Sequence, residues 1–297
     1  MRVLICGQHG QVSRELQRRL RNVGELIVLG RDQLDLAQPQ LIRQTVRNLH
    51  PDLIINAAGH TGVDQAESEP EAAFALNAVA PGVLAEEAFA LDIPLIHYST
   101  DYVFDGNKTE PYNEDDAPNP LGVYGKSKLA GEQAVSVVNG KHLILRTSWV
   151  YSSYGRNFLL TMQRLLQEKS ELRVVDDQIG APTWTGSIAA STLALIEGWQ
   201  RGTAKWGTYH LTAQGQVSWF GFAQAIGDTL QRQGKPCATL LPISSSEYPA
   251  AAVRPLNSRL DCSRLERDWA ISQPHWKAAL LECLDDQTEL FSKGARL

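Results

Sequence analysis

Tyr124 and Lys128 stand four residues apart in VYGKSKLAGE. Four residues make about one helical turn, so phenol and ammonium share a face. An ammonium near a phenol favours the phenolate and lowers the phenol's pKa. A tyrosine tuned in this way exchanges a proton with an alcohol or ketone near neutral pH. Upstream, an apolar run ends in IHYSTDY and presents Ser99, Thr100 and Asp101. A hydroxyl there, Thr100 or Ser99, would hold the same oxygen. An ordinary helix with a surface Tyr and Lys shows the same spacing, so the surrounding elements must decide between the two.

Those elements have a regular order. RVLIC (2–6), ELIVL (25–29), DLIIN (52–56), PLIHY (94–98) and HLILR (142–146) are short apolar runs without polar alternation. Strands of this kind are buried on both faces, as in a parallel sheet covered by helices. Amphipathic segments lie between them, near 12–22, 38–49, 70–91 and 122–138. Repeated strand–helix units predict an α/β fold with a Rossmann-like doubly wound parallel sheet over residues 1–150. After residue 150 the pattern loosens. Helices are expected at 157–169, 185–200, 217–232 and 275–292, strands at 172–175 and 208–211, and a Pro- and Ser-rich loop at 242–260. Residues 151–297 should form mostly a smaller α/β substrate-binding lobe, interwoven with the first, the chain returning to the first domain near 170–182.

Composition narrows the function. The chain has 297 residues, 43% hydrophobic and 21% charged, with a formal charge of −5. Acids and bases are interspersed, so no basic block invites nucleic acid. MRVLICGQHG opens directly on a strand, with no signal-type apolar region and no stretch long enough to cross a membrane. Cys6, Cys237, Cys262 and Cys283 are scattered and read as reduced thiols. The expectation is a soluble cytoplasmic protein without a structural metal.

The first strand runs into GQHGQVSRELQRRL. Gly7, Gly10 and Ser13 occupy the positions of a Gly-x-x-Gly-x-x-Gly turn, followed by Gln11, Val12 and a helix. The first glycine allows the tight turn. The second lets backbone approach a pyrophosphate, whose charge the helix N-terminus meets. The third normally gives close packing, and Ser13 is small enough to stand in for it. The second strand ends in VLGRDQLDL, offering both Arg31 for a 2′-phosphate and Asp32 for a ribose. NADPH is favoured, with NADH also possible. Ala57, Ala58 and Gly59 are small and would let a ribose lie close. Asn77 reads equally as structural or cofactor-binding. His60 and His97 read as structural, because no carboxylate is placed to orient either.

Several stretches agree with one family: GxxGQ at 7–11, NAAGHTGVDQAESEP (56–70), IHYSTDYVFDG (96–106), PLGVYGKSKLAGE (120–132), RTSWVY (146–151), DDQIGAPT (176–183) and RPLNSRL (254–260). Together they resemble the dTDP-4-dehydrorhamnose reductases, extended members of the short-chain dehydrogenase/reductase superfamily. The resemblance spans nearly the whole chain and implies reduction of a 4-keto group on a dTDP-sugar by NADPH or NADH. It implies that Tyr124 is the general acid, that Lys128 tunes it and holds the nicotinamide ribose, and that Thr100 holds the carbonyl. Asp35 and Leu36 match a pair beside the adenine. Thr61, Val63, Thr100, Asp101, Tyr102, Trp149, Asn157 and Arg254 match sugar-nucleotide positions. Trp149 could equally pack in the core, and Asn157 could cap the helix after it.

Some relatives dimerise through Mg²⁺ held by glutamates. Glu15 matches one such position, but WTGSIAA after Thr183 lacks the second, so Glu15 is expected to be a solvated helix residue and the protein a monomer or homodimer. Two other readings stay open. One is an epimerase or dehydratase on the same scaffold, against which Asp101-Tyr102 lacks the Asp-Glu pair of dehydratases. The other is a non-catalytic NADP-binding regulatory subunit, against which Tyr124, Lys128 and Thr100 are intact.

Overall fold

The computed structural model describes residues 1–138 and 140–292. The five apolar runs are strands: β1 (Arg2–Cys6), β2 (Glu25–Leu29), β3 (Leu53–Asn56), β4 (Leu95–Thr100) and β5 (His142–Thr147). Both β4 and β5 are buried along their full length. All five pair in parallel. The helices between them are α1 (Gln11–Arg19), α2 (Pro39–Leu49), α3 (Val63–Ser68), α4 (Pro70–Phe74), α5 (Ala80–Ala90) and α6 (Val123–Val138). On α1, Leu16 turns inward while Arg14, Arg18 and Arg19 face water, the stripe that a helix on a sheet needs. On α2, Pro39 sits where its missing N–H costs nothing.

The expected helix at 70–91 is not uniform. A π-turn, Ala75–Val79, joins α4 to α5. The run Pro70–Ala90 has 21 residues and mean hydropathy 1.2, enough by length and composition to span a bilayer, contrary to the sequence reading. Of its most apolar 18-residue stretch 56% is buried in the protein, with Val83, Leu84, Ala85 and Ala88 in the core beside β3 and β4, so it is a core helix.

The remaining strands are β6 (Val150–Tyr151), β7 (Glu171–Val175), β8 (Ile179–Gly180), β9 (Thr183–Trp184), β10 (Gly207–His210), β11 (Val217–Ser218) and β12 (Thr239–Ile243). The remaining helices are α7 (Phe158–Glu168), α8 (Thr185–Gln200), α9 (Trp219–Arg232), α10 (Ser263–Trp269) and α11 (Trp276–Ser292). The main sheet has the order β10-β5-β4-β3-β1-β2. The segment near 170–182 does not re-enter the main sheet: β7 pairs with β12 instead. The return is made by β10, parallel to β5, while Ile188, Ala189, Leu195 and Ile196 of α8 share a core with Leu16. Val174 at the end of β7 packs with Met162, Phe222 and Leu230 of the small lobe, and that apolar demand decides its place. The expected loop at 242–260 begins inside β12.

Candidate active site

The strand order reverses between β1 and β3, and a cleft of about 630 Å³ opens beyond their C-terminal ends. In doubly wound sheets this is where ligands bind. Gly10, Gln11 and Val12 line one wall, with Ala57, Ala58 and Gly59 beside them. Gly7 has φ +99°, and a Cβ on it would lie 3.0 Å from the Ala58 Cβ, so both conformation and space demand glycine. No side chain caps α1, which leaves its first N–H groups facing the cleft end. Ser13 is fully buried, and its hydroxyl accepts from Gln17 at 3.3 Å, so the small departure from glycine is accommodated.

The expected catalytic residues converge in this cleft. β4 ends at Thr100, whose hydroxyl accepts the Tyr102 N–H at 3.2 Å and donates to Asp101 at 3.0 Å. Tyr124 lines the same cleft as Thr100. Its ring meets Tyr102 edge-on, centroids 5.5 Å apart. Gly125 makes that approach possible: a Cβ there would fall 2.1 Å from the Tyr102 carbonyl oxygen. Glu67 fixes the start of α6 by accepting the Val123 N–H at 2.8 Å, which gives the HTGVDQAE stretch a positioning role.

The electrostatics differ from the sequence expectation. Burial pushes the Tyr124 phenol up to about 12, with Thr100 opposing and Asp101 adding to the rise. Lys128 does not lower it here, because its nitrogen is engaged elsewhere: Nζ donates to the Tyr98 carbonyl at 2.5 Å and lies 3.4 Å from His97 Nε2. Burial brings Lys128 itself down to about 8, with Glu132 opposing. Burial also lifts the Asp101 carboxyl to about 6, against the Ser258 and Thr100 hydroxyls.

Thr61, Val63, Asp101, Tyr102 and Trp149 all line the cleft. Trp149 has φ +48°, costly for a bulky residue, and is over-determined by its neighbours. It stacks on Trp219, centroids 3.6 Å apart, and a Cβ on Gly180 would come 2.5 Å from its ring. Trp219 escaped the sequence reading, since only the tertiary fold brings 149 and 219 together. Gly155 and Arg156 also line the cleft and were not anticipated; SSYGRN reads only as a turn.

Asn157 lies outside the cleft lining. Its Oδ1 caps α7 through the Leu160 N–H at 3.0 Å, and its Nδ2 donates to Gln11 at 2.8 Å and to the Ser152 and Tyr154 carbonyls. The capping reading is the one the geometry displays. Arg254 is also outside the lining and pairs with Asp64 at 2.6 Å. His60 lines the cleft with Glu69 3.6 Å from its Nε2, so a carboxylate is placed near it after all. Asn77 lies in the π-turn and clamps the His60 backbone from both sides, at 2.8 and 3.0 Å, while donating to Ser127.

Arg31 is exposed and Asp35 half-buried on the loop after β2, and neither lines the cleft. Asp35 is held below its ordinary range by the Ala37 N–H and Gln38, with Arg31 contributing. Leu36 is buried in the core. Glu15 is not solvated: it is buried, pairs with Arg18 at 2.7 Å and accepts from the Tyr154 hydroxyl at 3.1 Å. Among the described residues, no three His, Cys, Asp or Glu side chains cluster as a metal site.

The residues fit a dinucleotide. The uncapped α1 and the glycine cradle suit a pyrophosphate. Ser99 Oγ, Thr147 Oγ1 and His60 Nδ1 are buried without hydrogen bonds, and all three residues line the cleft. Buried polar atoms in this condition call for a polar ligand.

Fold and site together define a reductase scaffold of the extended short-chain type. The chain belongs to the RmlD substrate binding domain family, which it matches over residues 1–289. It is 42% identical over 294 residues to a dTDP-4-dehydrorhamnose reductase of Burkholderia thailandensis, covering 96% of this chain and 99% of that one. The crystal structure of a dTDP-4-dehydrorhamnose reductase from Clostridium acetobutylicum superposes with a TM-score of 0.90 at 36% identity, covering 97% of this chain and all (100%) of the other. That of the Bacillus anthracis reductase, in complex with NADP, gives 0.88 at 35% identity, covering 96% and 99%.

Proposed function

We propose that this protein reduces the 4-keto group of dTDP-4-dehydro-β-L-rhamnose with NADPH to give dTDP-L-rhamnose, the last step of dTDP-rhamnose synthesis. The observation that carries the reading is the meeting of Tyr124, Thr100 and Lys128 in one cleft, in a chain 42% identical to such a reductase along its length. NADPH, when bound, supplies the hydride for C4. Tyr124 gives its phenol proton to O4, completing the alcohol. A phenol near 12 is fully protonated at neutral pH, the state a proton donor requires. The Thr100 hydroxyl turns from Asp101 to the substrate oxygen and holds it in line.

Gly10, Gln11 and Val12 take the pyrophosphate at the α1 N-terminus, and Gly7 with Ala57, Ala58 and Gly59 permits its close approach. Arg31 takes the 2′-phosphate, Asp35 borders the adenosine, and Leu36 supports that loop from the core. Lys128 holds the nicotinamide ribose. Thr61, Val63, Asp101, Tyr102 and Trp149 receive the sugar nucleotide, with Arg254 directed to its diphosphate and steadied by Asp64. Asn157 serves as a cap and a tie between lobes. Glu15 is engaged by Arg18 and Tyr154, so no Mg²⁺ bridge through it is included.

The test is NADPH oxidation with enzymatically generated dTDP-4-dehydro-β-L-rhamnose. Substrate-dependent oxidation is expected, and Tyr124→Phe should lower kcat by about 10²–10⁴ with NADPH affinity intact. Tight NADPH binding without oxidation would instead favour another sugar nucleotide or a regulatory subunit.

A further inference from the structure

The Lys128–His97 contact has no place in the roles assigned so far. His97 is fully buried on β4, and its Nδ1 lies 3.1 Å from Asn56 Nδ2. Asn56 is oriented by its other end, because its Oδ1 accepts the Ala58 N–H at 3.2 Å. The amide therefore turns an N–H toward His97, and Nδ1 must be the bare, accepting nitrogen. Burial holds this imidazole well below its ordinary pKa, so it is neutral. A neutral imidazole with a bare Nδ1 carries its proton on Nε2, the nitrogen that faces Lys128 at 3.4 Å. An ammonium has no lone pair for that proton. A neutral amine has one, and keeps an N–H for the Tyr98 carbonyl.

We propose that Asn56 and His97 form a tautomer lock that favours the neutral amine form of Lys128 in the free protein, and that Lys128 takes up a proton when the anionic cofactor binds. His97 is thus a positioning residue that acts through Lys128. The surroundings agree. Glu132, one turn along α6, is the nearby anion, but Arg146 neutralises it through contacts of 2.6 and 2.9 Å. On the cleft side stand Tyr124, a neutral phenol, and Asp101, whose carboxyl is raised. Burial disfavours the ammonium further and places the amine at about 8. A polyphosphate arriving in the cleft shifts the balance to the charged form.

The inference rests on the proposed placing of Lys128 against the cofactor. It is tested by calorimetric titration of NADPH at pH 8 in buffers of different ionisation enthalpy. The 2′-phosphate, ionising near about pH 6, contributes no protons there. The wild type should take up roughly half a proton per NADPH. Asn56→Asp keeps the acceptor for Ala58 but accepts Nδ1–H, turning a bare Nε2 toward an ammonium already formed, so uptake should fall towards zero. His97→Gln, whose amide can turn its oxygen to the ammonium, should lose uptake likewise if Asn56→Asp fails to fold. Heats independent of buffer in the wild type, or undiminished uptake in both variants, would overturn the lock. Lys128→Met separates the two ideas. Unchanged NADPH affinity would reject the placing of Lys128, whereas weaker binding with uptake retained would reject the lock alone.

Discussion

At the residue scale, the meeting of the candidate residues in one cleft was legible because it depends on residue types at fixed spacing. Tyr124, Lys128 and Thr100 needed only a helix, a strand end and the 3.6-residue period. Their electrostatic state was not legible, because it depends on what buries them. Lys128 illustrates the gap. Its pKa falls from 10.5 unfolded to about 8 folded. Between those values the unfolded chain binds more protons than the native one, so stability rises with pH there. The Lys128 contribution is fully present above 10.5 and is lost as pH falls through 8. Urea unfolding of wild type and Lys128→Met from neutral pH upward should show their stability difference drifting in favour of wild type across this window; a constant difference would place an unperturbed lysine there. Arg31 makes a second residue-scale claim. Arg31→Ala should weaken NADPH by about tenfold, equivalent to ~1.4 kcal/mol, and NADH hardly at all. Equal losses would show that Arg31 does not meet the 2′-phosphate.

At the element scale, the first five strands were readable from their unbroken apolar runs, while the π-turn was not. The apolar spacing of EAAFALNAVAPG keeps the helical period, and only Pro81, which has no N–H for the carbonyl four residues back, hints at a break. Asn77 occupies the turn, its amide directed inward to clamp His60 and Ser127. Gly131 is the matching feature on α6, since a Cβ there would lie 2.0 Å from the Asn77 carbonyl oxygen. Backbone against backbone leaves no flexible end to yield. Gly131→Ala should therefore destabilise by about 1–3 kcal/mol, by pushing α6 off the turn. Thermal unfolding measures the loss, and a Tm unchanged from wild type would mean that the two helices sit further apart. The tryptophan pair was hidden for a different reason: 149 and 219 belong to elements that only the folded small lobe brings together.

At the scale of the whole molecule, polar ties link the two lobes across the cleft. Asn157 and Ser152 both bond Gln11 on α1, Asp286 pairs with Arg18, and Arg254 pairs with Asp64. Asp64 also accepts the Ala252 N–H at 3.0 Å, so one carboxylate anchors the segment that carries Arg254. Asp64→Asn should raise the sugar-nucleotide KM about three- to tenfold while leaving NADPH affinity alone, a loss of about 1 kcal/mol for a partly exposed charged contact. Steady-state kinetics with each substrate varied separately decides it; a matching rise in the NADPH constant would mean that the anchor holds the whole cleft.

The late return of β10 to the main sheet also matters for how the chain is made. As a ribosome releases this protein, β5 appears long before Gly207–His210, the strand that covers its free side. Throughout that interval an edge strand with the apolar run Leu143–Leu145 and open hydrogen bonds waits for a partner, the condition in which strands of different molecules join. A piece cut at residue 150 would keep that edge for good, and it should precipitate where the complete chain does not.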